Sequence, residues 1–346
     1  MSSRIDKTIA RLRQRIEEGQ YYEAHQQLRV VASRYVKQSN YGAAVDTLFS
    51  GAQALLKAGQ GGSGGDLCVL LTDVYKSAEL KPDSGNKGKL IELLRLFPAG
   101  EPSRKRFIGE LISWSSKFGE FPAGDPELHH VAGTLYADDH DPYEAEHHLV
   151  LGTKDSPEHL ARLEYEWYTE DESHTAALYA ARAVIPYLLV GNLRDATRSL
   201  QVFTSRLTET SGALVVQDTS SATADLRIYP SLPLLNFLGL LLQLVQRGSA
   251  DLFRLLKSHY AVHIKDTGSI WDERTAPADI AAPPKKALEQ IGEMYFGIQI
   301  RRPTNPLLDM MGSLFGGPGG GGAVGGQPQP KKVGASAPPP PAVDLD

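Results

Sequence analysis

The sequence predicts an all-α protein: a right-handed α-solenoid of stacked, tetratricopeptide-like helix pairs, with one β-hairpin inserted near 214–229 and a disordered C-terminal tail. Three observations predict it. Apolar residues recur at spacings of three and four through nearly all of the first 300 positions, which is one helical face after another. A turn residue followed five positions later by alanine recurs as Gly19–Ala24, His140–Ala145 and Gly191–Ala196, with a looser copy ending at Ala44. A small side chain there lets neighbouring helices approach closely. Lastly, only LVVQDTSSATADLRIY sets a β-favouring run on each side of a polar turn cluster. The repeat spacing is irregular, so a single compact helical bundle stays open as the alternative. Three regions follow: 1–152, 153–302 and 303–346.

The first helix carries two stripes. Ile5, Ile9, Leu12 and Ile16 form a narrow apolar one, and Arg4, Lys7, Arg11 and Arg15 a basic one roughly 125° away. Residues 1–37 hold eight basic and four acidic side chains, whereas residues 120–172 hold fifteen acidic and two basic. The chain is thus electrically polar, and a basic stripe can steer and orient an acidic partner. A net charge of −5 argues against general nucleic-acid binding.

The stretch GQGGSGGDLC puts Gly59, Gly61 and Gly64 at the spacing of a dinucleotide fingerprint. That fingerprint needs a strand before it, and Val45, Leu48, Phe49, Ala52, Leu55 and Leu56 instead mark a helix. The glycines therefore read as a flexible loop between two helices, with Asp66 capping the second. Gly88-Lys89 fails as a phosphate loop because Asp83 and Leu90 stand where glycine and a hydroxyl residue belong. No cofactor is expected.

The histidines at 129, 130, 140, 147 and 148 lack metal-ligand spacing, and solvated or partly packed rings are expected. Trp114, Trp167 and Trp271 read as packing residues. No nucleophile motif occurs, and no carboxylate stands in an apolar setting that would raise its pKa. An enzyme has no positive support. The single cysteine, Cys68, lies in an apolar run and reads as a buried thiol in a reducing compartment. The charged N-terminus does not read as a secretory signal. Leu232–Val245 is too short to span a bilayer, which takes about 20 residues, and reads as a buried helix.

Near the end, NPLLDMMGSLFGG gathers Leu307, Leu308, Met310, Met311, Leu314 and Phe315. It is either a helix docked on its own domain or a peptide awaiting a partner. The Gly/Pro-rich remainder cannot bury enough apolar surface to order itself.

Four stretches carry a resemblance. ARLRQRIEEGQYYEAHQQLRVVASRYVKQSNYGAAVDTLFSGAQALLKAGQGGSGGDL, GDPELHHVAGTLYADDHDPYEAEHHLVLGTKDS, LPLLNFLGLLLQLVQR and PLLDMMGSLFGG together resemble the scaffold-subunit family of the guided-entry-of-tail-anchored-proteins (GET) complex. The likeness implies a non-catalytic, cytosolic helical adaptor with no direct membrane insertion of its own. Its N-terminal lobe would bind the homodimeric targeting ATPase that carries tail-anchored proteins to the endoplasmic reticulum. Arg11 and Arg15 match that contact face, with Arg4, Lys7 and Arg34 as supports. Its C-terminal lobe would grip a ubiquitin-like subunit. The matching positions there are Leu214, Val215, Val216, Leu226, Ile228 and Tyr229 of the hairpin, and Leu234, Leu235, Phe237 and Leu238 of the apolar helix. A generic helical-repeat peptide receptor is the alternative reading.

Overall fold

The computed structural model describes the backbone of residues 2–212, 214–219, 227–266 and 284–299. Met1–Ile300 forms one compact unit. The tail, the 307–315 motif, Trp271 and Leu226 lie outside the described residues. Among those described, the chain is a succession of α-helices with one small sheet.

Its first half comprises α1 (Ser2–Glu17), α2 (Tyr21–Lys37), α3 (Tyr41–Lys57), α4 (Gly61–Ser77), α5 (Ser84–Leu94), α6 (Pro102–Phe118), α7 (Pro126–Asp138) and α8 (Pro142–Leu149). The second half comprises α9 (Ser156–Tyr168), α10 (Ala176–Leu189), α11 (Leu193–Thr210), α12 (Pro233–Arg247), α13 (Ala250–His259), α14 (Ala261–Asp266) and α15 (Pro284–Phe296). Each helix packs on the next one or two. α1 lies on α2 and α3, α4 on α6, α9 on α10 and α11, and α12 on α10 and α11.

One backbone device produces this stacking. Gly19, Ser39, Gly59 and Glu79 all adopt left-handed φ, between 52° and 79°, at steps of twenty residues. His140 and Gly191 do the same further on. At Gly59, its own N–H donates to the Leu56 carbonyl at 3.0 Å and the Gln60 N–H to the Leu55 carbonyl at 2.9 Å. This pair of bonds ends a helix by capping its last carbonyls and reverses the chain within three residues. Five positions beyond the turn, the next helix touches the last, and Ala24, Ala44, Ala145 and Ala196 are completely buried there.

Gly64 is the third member of that series. A Cβ on it would lie 2.7 Å from two Leu56 side-chain carbons and 3.3 Å from the Leu56 backbone nitrogen. A Cβ on Gly61 or Gly65 would run into Glu101 or Ser103 at the start of α6. The glycine string is therefore no flexible loop. It is the first turn of α4, glycine-rich because two neighbours press on it. Gln60, not Asp66, stands at the N-cap. Asp66 lies inside the helix and receives His25 Nε2 at 2.9 Å and Arg29 at 3.2 Å.

The core runs along the array. Trp114 is fully buried, edge-on to Tyr75 at 5.3 Å, and its indole N–H donates to the Leu80 carbonyl at 2.8 Å. Cys68 is buried, and desolvation pushes its thiol pKa up, so it is an inert packing group. Helices α7 and α8 both meet α9, so packing continues across the boundary expected at 152.

The hairpin is shorter than the sequence suggests. β1 (Gln217–Asp218) pairs antiparallel with β2 (Arg227–Ile228), Gln217 opposite Ile228. Leu214–Val216 precedes the ladder instead of forming it, because Leu214 and Val216 pack on the core and pairing begins where the chain leaves it. Asn236 of α12 anchors the return. Its Oδ1 accepts from Tyr229 N–H at 2.7 Å and its Nδ2 donates to the Tyr229 carbonyl at 2.9 Å.

The glycine assignment predicts opposite signs for two neighbouring substitutions in α4. Gly64→Ala should destabilise by about 1–3 kcal/mol through overpacking. Gly62→Ala, which meets nothing within 4 Å, should stabilise by up to about 1 kcal/mol through helix propensity. Urea unfolding of both variants checks this, and equal effects would contradict the packing account.

Candidate functional site: two open ends and a charged middle

A stack of helix pairs buries each layer under the next, so only its end layers keep an uncovered edge. At the N-terminal end, Leu12 and Ile16 of α1 are buried. On one side of that stripe Asp6, Arg13 and Glu17 join Asp46, Phe49 and Ser50 of α3 in a shallow groove of about 580 Å³. Lys7, Arg11 and Arg15 occupy the opposite edge; among the described helices, α1 packs mainly on α2 and α3. Lys7 and Arg11 are exposed and Arg15 is half-buried; the side chain of Arg4 lies outside the described residues. On α2, Arg29 turns toward Asp66 of α4, and Arg34 lies roughly 140° around the helix from it. Arg34 is therefore on the exposed face of α2 with Val30, which is 56% exposed. Among the described residues, Lys7, Arg11, Arg15 and Arg34 engage in no ion pair. The periodicity reading missed Val30, whose signal is an apolar side chain one turn from Arg34 on an otherwise polar face.

At the other end, the expected set divides. Tyr229, Leu235, Phe237 and Leu238 are between 1% and 2% exposed. They are core residues, and a partner could reach them only by opening the fold. Leu214, Val216, Ile228 and Leu234 are half-buried, and Val215 is exposed. What the sequence missed is a groove on the far face of α12. Leu240 and Leu244 form one wall, Leu252, Leu255 and Leu256 of α13 the other, and Arg247, His259 and Tyr260 the rim, enclosing about 540 Å³. Leu255 is 65% exposed. Thus α12 is not a wholly buried helix. The legible signal is α13 itself, where Phe253 and Leu256 already satisfy the core and Leu252 and Leu255 are surplus.

Between the ends lies the acidic block, and the structure shows that it is largely neutralised from within. Lys87 of α5 pairs with Asp125 and Glu127, Arg104 and Lys105 of α6 with Asp139 and Glu144, and Arg182 of α10 with Glu146 and Glu164. Arg198 and Arg206 of α11 reach Glu158 and Glu166. Two details correct the sequence reading. Glu164 is fully buried, and desolvation, reinforced by the adjacent Glu146 carboxylate, holds its pKa well above the ordinary range. His129 and His148 are also buried, with their Nδ1 atoms 2.9 Å apart. The Ala123 carbonyl lies 3.1 Å from His129 Nε2, so that nitrogen carries the proton and the neutral ring's Nδ1 accepts from His148 Nδ1–H. Burial first, and then the facing His129, press the His148 pKa down to about 3.

The sequence model described as "Golgi to ER traffic protein 4" matches residues 38–315. The protein of that name from Aspergillus fumigatus is 58% identical over 331 residues, covering 92% of each chain. That from Schizosaccharomyces pombe is 34% identical over 320 residues, covering 91% of this chain and 97% of its own. The chain belongs to the Golgi to ER traffic protein 4 family. The crystal structure of C. therm. Get4 superposes with a TM-score of 0.80 at 57% identity, over 91% of this chain and 96% of that one. Family membership gives the protein a role in Golgi-to-ER traffic as part of a GET-type complex, and the family is one of traffic proteins, not of enzymes. No described helix is long and apolar enough to cross a membrane. Among the described residues no group of three or more His, Cys, Asp or Glu is placed to hold a metal ion.

The histidine pair gives the fold an acid-sensitive middle. Both rings stay neutral when folded, whereas an unfolded histidine protonates below about pH 6.5. Stability is therefore complete above about pH 6.5 and falls as pH drops toward the folded pKa, by up to about 1.4 kcal/mol per pH unit per histidine. Urea unfolding between about pH 7 and pH 5 should show this slope, and His148→Asn should flatten it. An unchanged slope in the variant would assign the acid sensitivity elsewhere.

Proposed function

We propose that this protein is a non-catalytic cytosolic adaptor of tail-anchored-protein targeting. Its N-terminal lobe, 1–152, would engage the homodimeric targeting ATPase, and its C-terminal lobe, 153–302, the ubiquitin-like subunit of the complex. The observation that carries this reading is one continuous helical array whose two uncovered ends differ in chemistry, one basic and the other leucine-lined. A basic edge whose Lys7, Arg11, Arg15 and Arg34 form no ion pair among the described residues suits an acidic surface, where charge raises the association rate and fixes register. Val30 adds an apolar contact within that rim. An open apolar groove suits the leucine-type anchors of an amphipathic segment. Leu214, Val215, Val216, Ile228 and Leu234, half-buried or exposed, are the remaining contacts of the expected set.

Three variants test the two ends separately. Arg11→Glu with Arg15→Glu should weaken ATPase binding by about ten- to hundredfold at low salt, with the difference shrinking as salt rises. Unchanged calorimetric affinity at low salt would remove the basic edge from the contact. Leu255→Glu, at an exposed position, should leave circular dichroism intact and abolish co-purification of the ubiquitin-like subunit. Replacing residues 217–227 with a Gly-Ser linker, which spares the core residue Tyr229, should weaken the same capture. Full retention by Leu255→Glu would place the partner elsewhere.

A further inference from the structure

The clamp of Glu146, Arg182 and Glu164 is the most buried ionic cluster among the described residues, and neither docking end uses it. Arg182 Nε and Nη2 donate to the two oxygens of Glu146, each at 2.7 Å. The guanidinium lies 4.8 Å from the Trp167 ring centroid and 5.2 Å from that of Tyr143. Glu164 Oε2 stands 3.4 Å from Arg182 Nε. Neither Glu164 oxygen accepts a hydrogen bond from a protein donor, as an ionised carboxylate in this setting would require. Burial and the adjacent Glu146 carboxylate favour the protonated form of Glu164, which leaves the cluster of one arginine, one carboxylate and one carboxylic acid neutral.

Its position gives it a task. Glu146 belongs to α8, Glu164 to α9 and Arg182 to α10, so the cluster joins the helices that lead to the basic end with those that lead to the leucine groove. On the other side of the α7–α8 pair, Arg104 of α6 binds Asp139 and lies 5.5 Å from the Tyr136 ring centroid. The α7–α8 pair is thus tied to both neighbours by buried or half-buried ion pairs. Apolar packing is non-directional and lets helices slide by small shears. A bidentate guanidinium–carboxylate pair is directional, and aromatic contacts limit its tilt.

We propose that Arg182 is a positioning residue: by locking α8 against α9 and α10 it fixes the angle between the two ends of the array. For bridging, which rests on the function proposed above, a fixed angle sets how two bound partners would face each other. The angle itself does not depend on that function.

The test uses the full chain carrying nitroxide labels at Lys37→Cys and Leu255→Cys, Cys68 being buried and unreactive, with the distance distribution read by pulsed electron resonance. A single narrow distribution is expected for the parent and for Glu164→Gln, which mimics the protonated acid. Arg182→Met should broaden or shift it, whereas Arg162→Met, at an exposed pair, should not. Should Arg182→Met fail to fold, Glu146→Gln is read in its place. An unchanged distribution in a folded Arg182→Met or Glu146→Gln chain overturns the proposal, as does equal broadening by Arg162→Met. In parallel, Arg182→Met on the unlabelled chain should keep each binary association within about twofold, because neither docking end contains Arg182. If the parent binds neither partner, the bridging reading fails, while the distance measurement still decides the role of Arg182.

Discussion

The close approach of consecutive helices five residues beyond each left-handed turn is the constraint on which this architecture rests. A helix that ends with φ near +70° at Gly19, Gly59 or Gly191 sends the chain back along itself, and the returning helix can seat only if it presents almost no side chain at the point of contact. Alanine meets that demand at four positions and glycine at Gly64, where Leu56 leaves no room for a methyl group. Ser39, Glu79 and His140 adopt the same conformation without the freedom of glycine, at a cost of order 1 kcal/mol each, which shows how strongly the turn geometry is imposed. The regular step of twenty residues through the first four helices follows from it, as does the loss of that beat where the longer link before α5 intervenes.

Stacking of this kind decides where function can reside. Interior layers bury much of both their faces, and among the described residues the two ends of the array offer the basic edge and the leucine groove. The N-terminal edge is finished with arginine and lysine, which keeps it from recruiting another helix layer and makes it attractive to acid. The C-terminal groove is finished with leucine on α12 and α13, an apolar surface that water disfavours and a partner can cover. Between them, the middle of the array is packed largely by side chains that satisfy one another.

That middle carries its own logic. Fifteen acidic residues in 120–172 look, along the chain, like an exposed negative patch. In space, cations from α5, α6, α10 and α11 cover eight of them: Asp125, Glu127, Asp139, Glu144, Glu146, Glu158, Glu164 and Glu166. Charges removed from water at this density hold only when paired or neutralised. Glu164 illustrates both remedies, since it sits against Arg182 and retains its proton. The same desolvation keeps His129 and His148 neutral, so acid is the condition under which the centre of the array weakens.

The sequence by itself determined the helical class, the positions of the turn residues, the apolar face of each long helix and the basic stripe of α1. These are patterns between neighbours three to five residues apart, where backbone geometry alone relates the side chains. It misread Gly61–Gly65 as a loop and Asp66 as a cap, because the reason for those glycines lies across space in Leu56, Glu101 and Ser103. The family resemblance matched Tyr229, Leu235, Phe237 and Leu238 to a partner contact although the structure buries them, and the periodicity left Leu240, Leu244, Leu252 and Leu255 unnoticed. Only the tertiary structure decided which leucines the core claims and which carboxylates lose their water. Those outcomes turn on contacts such as Glu146 with Arg182, 36 residues apart, and His129 with His148, 19 apart. Burial is a property of the whole assembly of helices, and no local spacing encodes it.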